Sequence, residues 1–449
     1  MFIDRIKEKI SKSKNINFKK FIFENETFVW TFLGFGIANV LRLLSSLILT
    51  RIFLPEQFGI MAILISLMVG AELLSDVGIQ TSIIRNNDSK NTAFFKSAWT
   101  LSVVRGFILC GLLILFSGYF SNIFESDELQ QYIMVISFVF ILKGFRSTSL
   151  ALHVKHRKVK VLTKLELTTQ VFALITTISL ASYFESLWAF ICSMIFTEII
   201  FTLSTYYYLK GGINGFLYSK RQINSLVKFG KWLFLASLLT FITGQGDRFL
   251  LGLYITKENL GIYHVASTLA AMPILLHGAL LSKVFFPAIC EKLDLSHHEF
   301  NELFNSLRIK VVSLTFPIAF VLSLFGNDII SVLYDTNYES AGKMLQILSV
   351  GTMLKISADS ISPVLNARGD SFRHMLYISL WAALVLISII VGEYLYGLTG
   401  ILIGMAITPF FSLIWICFLA KKYVQINHLL SFVLTLISFI TLILITWTL

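Results

Sequence analysis

Once the loops and run edges are counted, six lysines and arginines remain inside long apolar runs of this chain: Arg42, Arg105, Lys143, Arg146, Arg248 and Lys355. At the centre of a bilayer each would cost at least about 2.5–3.5 kcal/mol, so such a charge needs water, a partner or a nearby headgroup. Lys143 and Lys355 lie deepest. Arg42 falls near the middle of the first run and Arg105 in the middle of the third. Arg146 is three residues from Lys143, hence on the same helix face, and within snorkelling reach of its run's end. Arg248 is near a run's end too and follows Asp247 directly. Acids occupy the same runs: Glu72, Asp76, Glu166, Glu198, Asp247 and Asp359. Glu72 and Asp76, four apart, would share a face as a cation or proton site, or else neutralise Arg42 or Arg105. Asp359 stands in SADSISP, which is polar for a span and suits a cavity wall or a locally broken helix.

A cavity lined by several cations favours an anion, and lysine and arginine are the usual phosphate binders. The expected binding set for a diphosphate or anionic glycan is therefore Arg42, Lys143, Lys355, Arg105, Arg146 and Arg248. Glu72, Asp76 and Asp359 are the candidates for coupling or charge balance.

The elements that hold these residues follow from composition. Of 449 residues, 56% are hydrophobic and 14% charged, against about 25% charged in soluble domains. The chain is expected to be an all-α polytopic membrane protein. Thirteen apolar runs fit spans: 28–52, 58–84, 94–120, 129–152, 161–184, 186–209, 227–255, 258–289, 303–326, 341–367, 371–396, 398–420 and 427–448. With the N-terminus cytoplasmic, the tail and the even-numbered loops hold 28 of the 37 lysines and arginines. That is the positive-inside pattern, and the cell (inner, cytoplasmic) membrane is the expected location. It also accounts for most of the +11 net charge, so nucleic acid is not an expected partner.

The runs repeat. LTRIFLPEQFGIM (49–61) aligns with LGLYITKENLGIY (251–263) at an offset of 202, so that Glu56 meets Glu258 and Gly59 meets Gly261. A second anchor pairs 143–158 with 355–370 and sets Lys143 on Lys355. Six spans per half is an even number, so the repeat is parallel. The expected architecture is two parallel-repeat six-helix bundles around a central cavity, 28–209 and 227–420. A basic segment 1–27 would precede them, a cytoplasmic linker 210–226 would join them, and 421–449 would add a C-terminal helix, giving 12–14 spans.

RIFLPEQFGIMAI, followed by LLSDVGIQTSIIR (73–85), resembles the polysaccharide-transporter family of oligosaccharide flippases, often called Wzx-type. That family shares a superfamily with multidrug-and-toxin extruders and lipid II flippases. Arg51, Pro55, Glu56, Phe58 and Gly59, then Asp76, Gly78 and Arg85, carry the likeness, with GDRFLLG (246–252) and LNARGD (365–370). The resemblance implies flipping of polyprenyl-diphosphate-linked oligosaccharide to the outer leaflet by alternating access, for surface polysaccharides such as lipopolysaccharide O-antigen. Lipid-linked oligosaccharide is the expected partner, and polymerase or assembly proteins are further expected ones. Two rivals differ in their demands. A cation-coupled small-molecule exporter wants a cavity dominated by acids and aromatics. A membrane enzyme of polysaccharide assembly wants catalytic groups, yet no nucleophile motif, metal spacing or glycine-rich phosphate loop is present. No cofactor, metal or catalytic residue is expected.

Overall fold

The computed structural model describes residues 26–76, 78–85, 92–156, 158–184, 186–220, 222–223 and 237–447. The basic segment up to residue 25 and the start of the seventh run, 227–236, lie outside the described residues. Most of the remainder is helical. In order come α1 (Glu26–Leu49), α2 (Pro55–Leu74), α3 (Ile79–Arg85) and α4 (Thr92–Ile123). The fourth run forms α5 (Asp127–Ile136), α6 (Phe138–Gly144) and α7 (Ser149–Lys155), and is followed by α8 (Val159–Phe184) and α9 (Leu187–Tyr207). The second half has α10 (Gly246–Tyr254), α11 (Lys257–Ala270), α12 (Met272–Leu280) and, after a π-helical turn, α13 (Phe286–Cys290). It ends with α14 (His297–Leu333), α15 (Ala341–Asp359), α16 (Pro363–Ala367), α17 (Ser371–Ala420) and α18 (His428–Trp447).

The distribution of side chains is that of a protein dissolved in lipid. Leu115, Ile175, Phe418 and Leu429 are exposed, while Ser66, Ser97, Ser349 and Ser357 are fully buried. Small residues let helices approach closely, and apolar surface suits acyl chains. Several helices, α4, α8, α9 and α14 among them, are each long and apolar enough to cross a membrane.

α17 is a folded hairpin. Tyr396 and Gly397 leave helical geometry, with φ +58° at Gly397, a region that glycine enters without steric cost. Gly392 then packs on Gly400, and Gly404 on Ser388, so the two arms run antiparallel. This matches the two runs 371–396 and 398–420. α18 packs through Leu434 against Val312, Phe316, Met353 and Ile356.

Two expectations need correction. The apolar pattern predicts unbroken spans over 58–84 and 129–152, and both are broken. After α2, Asp76 accepts a hydrogen bond from Gly78 N–H at 2.8 Å, and Gly78 takes φ +69°. This turn chemistry overrides the apolar periodicity. In the fourth run the axis bends by 61° between Gly144 and Ser149. The freed backbone groups find partners: Ser147 N–H donates to Thr205 at 3.0 Å, and Thr148 N–H to Asn214 at 3.0 Å. A break at membrane depth is tolerable only with such compensation. The tenth run also breaks, at Ser360–Ser362 between α15 and α16.

The two halves meet at their repeated turns. A Cβ at Gly59 of α2 would overlap the Lys257 carbonyl of α11, and one at Gly261 would overlap the Pro55 carbonyl. In the 202-residue repeat, 55 corresponds to 257 and 59 to 261. The contact is thus reciprocal between equivalent positions, which is the geometry of an isologous twofold contact.

Candidate functional site

The breaks in the fourth and tenth runs position the deep charges. Each follows one of the equivalent lysines: Lys143 precedes the bend at 145–148, and Lys355 precedes the turn at 360–362. A broken helix widens the space beside it and offers polar backbone there.

In the first half, Lys143 Nζ donates to Glu72 Oε2 at 2.6 Å. The two side chains keep 25% and 44% exposure, so the pair is open to its surroundings. Arg146 forms a bidentate pair with Glu198, both bonds 2.7 Å, and its guanidinium lies 4.5 Å from the Phe201 ring centroid. Glu198 is buried, which makes this pair a structural tie between α9 and the bend. Arg105 donates to Ser75 Oγ at 2.8 and 3.0 Å and to the Glu72 carbonyl. It therefore binds the C-terminal end of α2, where orphan carbonyls and the helix dipole favour a cation. Asp76 makes the turn described above. Glu72 thus pairs with Lys143 and not with Arg42, and Asp76 serves the turn.

Arg42 differs from the others. Among the described residues no hydrogen bond or ion pair engages it, and it is exposed. Its direction follows from helical geometry. The exposed apolar stripe of α1 is Leu33, Ile37, Val40, Leu44 and Ile48, and Arg42 lies on the opposite side. Phe35, two turns before it, meets Lys283 at 5.7 Å from its ring centroid. Ser46, one turn after it, meets the Tyr334 hydroxyl at 3.4 Å. Lys283 and Tyr334 both belong to the second half. Arg42 accordingly lies away from the apolar stripe, on the side of α1 that meets the second half, and is exposed there.

In the second half, Lys355 Nζ lies 3.1 Å from Asp359 Oδ1 and 4.1 Å from the Trp381 ring centroid. Tyr377 donates to the same Asp359 oxygen at 2.6 Å. These groups line a cavity of about 570 Å³ that His374 and Asn366 also border. Among the described residues Arg248 reaches only neutral partners, Gln245 at 3.3 Å and Ser267 at 3.4 Å. Its neighbour Asp247 instead accepts from Tyr263 at 2.6 Å. Glu166 is exposed on α8. The structure therefore groups Glu72, Arg105, Lys143 and Arg146 near one another. It sets Lys355 with Asp359 in a separate cavity and Arg248 elsewhere.

Sequence reasoning missed Arg308. It is fully buried and donates to Ser360 Oγ at 2.9 Å and Ser431 Oγ at 2.8 Å. Eleven residues into α14, it counts with the loop charges in a linear reading, although Leu307 and Ile309 beside it signal the span. His374, Tyr377 and Trp381 were also missed. Their spacing of three and four puts them on one face of α17, a signal that α17's apolar content hides.

A family model described as "Polysaccharide biosynthesis protein" matches residues 48–343. The lipopolysaccharide biosynthesis protein WzxC of Escherichia coli (strain K12) is 22% identical, over 91% of this chain and 82% of its own length. The teichuronic acid biosynthesis protein TuaB of Bacillus subtilis (strain 168) is 21% identical, over 74% and 71%. Among solved structures, the lipid II flippase MurJ in an inward closed conformation superposes with a TM-score of 0.75 at 14% identity, over 94% of this chain and 92% of that one. An inward-facing multidrug resistance MATE transporter gives 0.64 at 13% identity, over 87% and 95%. The fold is that of these transporters. With the family match spanning most of its length, the chain belongs to the polysaccharide biosynthesis protein family of multi-span membrane proteins.

Proposed function

We propose that this protein flips a polyprenyl-diphosphate-linked oligosaccharide across the cytoplasmic membrane by alternating access, from the cytoplasmic to the outer leaflet. Two bundles, 28–209 and 227–420, would rock about the Gly59–Gly261 crossing, with the N-terminus cytoplasmic. The observation that carries the reading is Arg42: an exposed guanidinium, unpaired among the described residues, seven residues before the end of α1 and on the face turned to the other half. An arginine left open at that depth is costly unless an anion visits it. Lys143 supplements it: it keeps side-chain exposure beside its carboxylate partner, so it can release Glu72 and take a phosphate oxygen. Arg105, Arg146 and Arg248 contribute positive potential from fixed positions.

The exporter reading is less well supported. Four deep carboxylates are already engaged: Glu72 by Lys143, Glu198 by Arg146, Asp247 by Tyr263, and Asp359 by Lys355 and Tyr377. An organic cation would have to displace these partners.

Arg42→Gln tests the reading. It removes the charge, keeps a polar side chain, and breaks no bond. Transport of lipid-linked oligosaccharide in proteoliposomes is expected to fall by about a hundredfold, the loss of a charge-assisted contact of about 3 kcal/mol. The protein's yield and melting temperature should not change. Unchanged transport by this variant would remove the basis of the proposal.

A further inference from the structure

The proposal above accounts for the diphosphate and leaves the cavity of the second half without a task. That cavity, about 570 Å³, is within the size range of ligand sites. Its chemistry differs from that of the space around Arg42. Its one lysine, Lys355, is already neutralised by Asp359 at 3.1 Å, so the site has no net attraction for an anion. It offers instead aromatic rings, Trp381 and Tyr377 among them, together with groups that donate or accept hydrogen bonds without net charge. Asn366 is exposed to the cavity. His374 has a buried Nδ1 with no partner among the described residues, an atom whose hydrogen-bonding capacity a ligand would satisfy. Thr240 and Thr243 add hydroxyls from the seventh run. Aromatic faces beside amide, imidazole and hydroxyl groups suit a sugar ring, which presents C–H bonds on its faces and hydroxyls at its edge.

We propose that this cavity is a glycan subsite, which holds a sugar of the lipid-linked oligosaccharide through Trp381, Asn366 and His374 while the diphosphate lies at Arg42. The assignment rests on the transport reading above and adds to it where specificity resides. The first half supplies charge for a feature common to lipid diphosphates. The second half reads the sugar. A protein of this kind would discriminate between glycans by substitutions on this one face of α17 and at Asn366.

Gly278 allows a direct test. It lines the cavity, and a Cβ placed on it meets nothing within 4 Å. Gly278→Leu therefore fills the space without displacing backbone, and leucine is the better helix former. The probes are polyprenyl diphosphate carrying the source cell's own oligosaccharide and the same lipid stripped of its glycan, with binding to purified protein measured by native mass spectrometry. Wild type is expected to bind the glycosylated lipid about tenfold more tightly, equivalent to about 1.4 kcal/mol. Gly278→Leu should abolish that preference and leave the bare lipid's affinity unchanged, and Asn366→Ala should reduce the preference. Equal binding of both lipids by wild type, or an undiminished preference in Gly278→Leu, overturns the subsite. Wild type that binds neither lipid overturns the transport reading itself, a different result from loss of the preference alone.

Discussion

Arg146 and Arg42 show what a residue list read along the chain contains and what it lacks. Both are conspicuous as charges in apolar runs, yet the structure gives them opposite circumstances. Arg146 is locked to a buried glutamate 52 residues away, whereas Arg42 stands open. A linear reading ranks charges by depth, but pairing across helices depends on which faces meet, and periodicity does not encode that. The cost of a mutation should separate the two. Arg146→Ala leaves Glu198 buried and unpaired, a loss of about 3–5 kcal/mol, visible as a lower melting temperature in detergent. The double variant Arg146→Met, Glu198→Leu removes both charges and should melt close to wild type. If the single variant also melts like wild type, the pair is not a structural tie. Arg308 marks the converse failure: a linear reading counts it with the loop charges, yet on α14 it is enclosed by α18 and the break after α15.

At the scale of elements, much was legible. All thirteen apolar runs contain helix among the described residues, and the repeat at offset 202 marks two turns that the fold brings together. What the repeat does not state is that equivalent turns touch, each glycine lying against the partner turn's backbone. That follows only once the two halves are docked about an axis. The contact sets an expectation. Gly59→Ala adds a methyl group where the Lys257 carbonyl now lies, and overpacking of a rigid contact costs about 1–3 kcal/mol. The α2–α11 crossing should open, and Gly261→Ala should act the same way from the other side. Spin labels at Ile52→Cys and Val332→Cys, in protein lacking its four native cysteines, would report a longer distance in either variant. An unchanged distance in both would mean that the crossing accommodates a methyl group and does not set the separation of the halves. The breaks in the second and fourth runs were less legible because Ser, Thr and Asp within apolar sequence are compatible with either a span or a turn. Tertiary partners such as Asn214 and Thr205 decide between them.

For the whole molecule, several contacts between halves lie on the face of the repeated turns. Tyr338 donates to the Phe53 carbonyl at 2.9 Å, Tyr334 meets Ser46, and Lys257 donates to the Glu125 carbonyl. The structure is closed there, a property that hydropathy and charge bias cannot express because they fix topology and not separation. Tyr338 is the most buried of these groups, and it lies in the turn between α14 and α15, outside the spans. Burial, with Asp335 and then Tyr334 nearby, raises its pKa above the usual value near 10. The sign of the pH effect follows. The phenol's contribution is fully present below about pH 10 and is lost as pH rises through the raised value. Closure through this bond should therefore be constant from about pH 5 to about pH 9. Tyr338→Phe removes the donor and leaves a buried carbonyl without its partner, a change of about 1 kcal/mol that shifts the closed-to-open ratio about fivefold. The same label pair should show a larger open population in Tyr338→Phe, with no pH dependence across that window in wild type. Opening of wild type as pH falls toward 5 would instead assign the closing force to a carboxylate or histidine, and would place the control of access elsewhere than in this phenol.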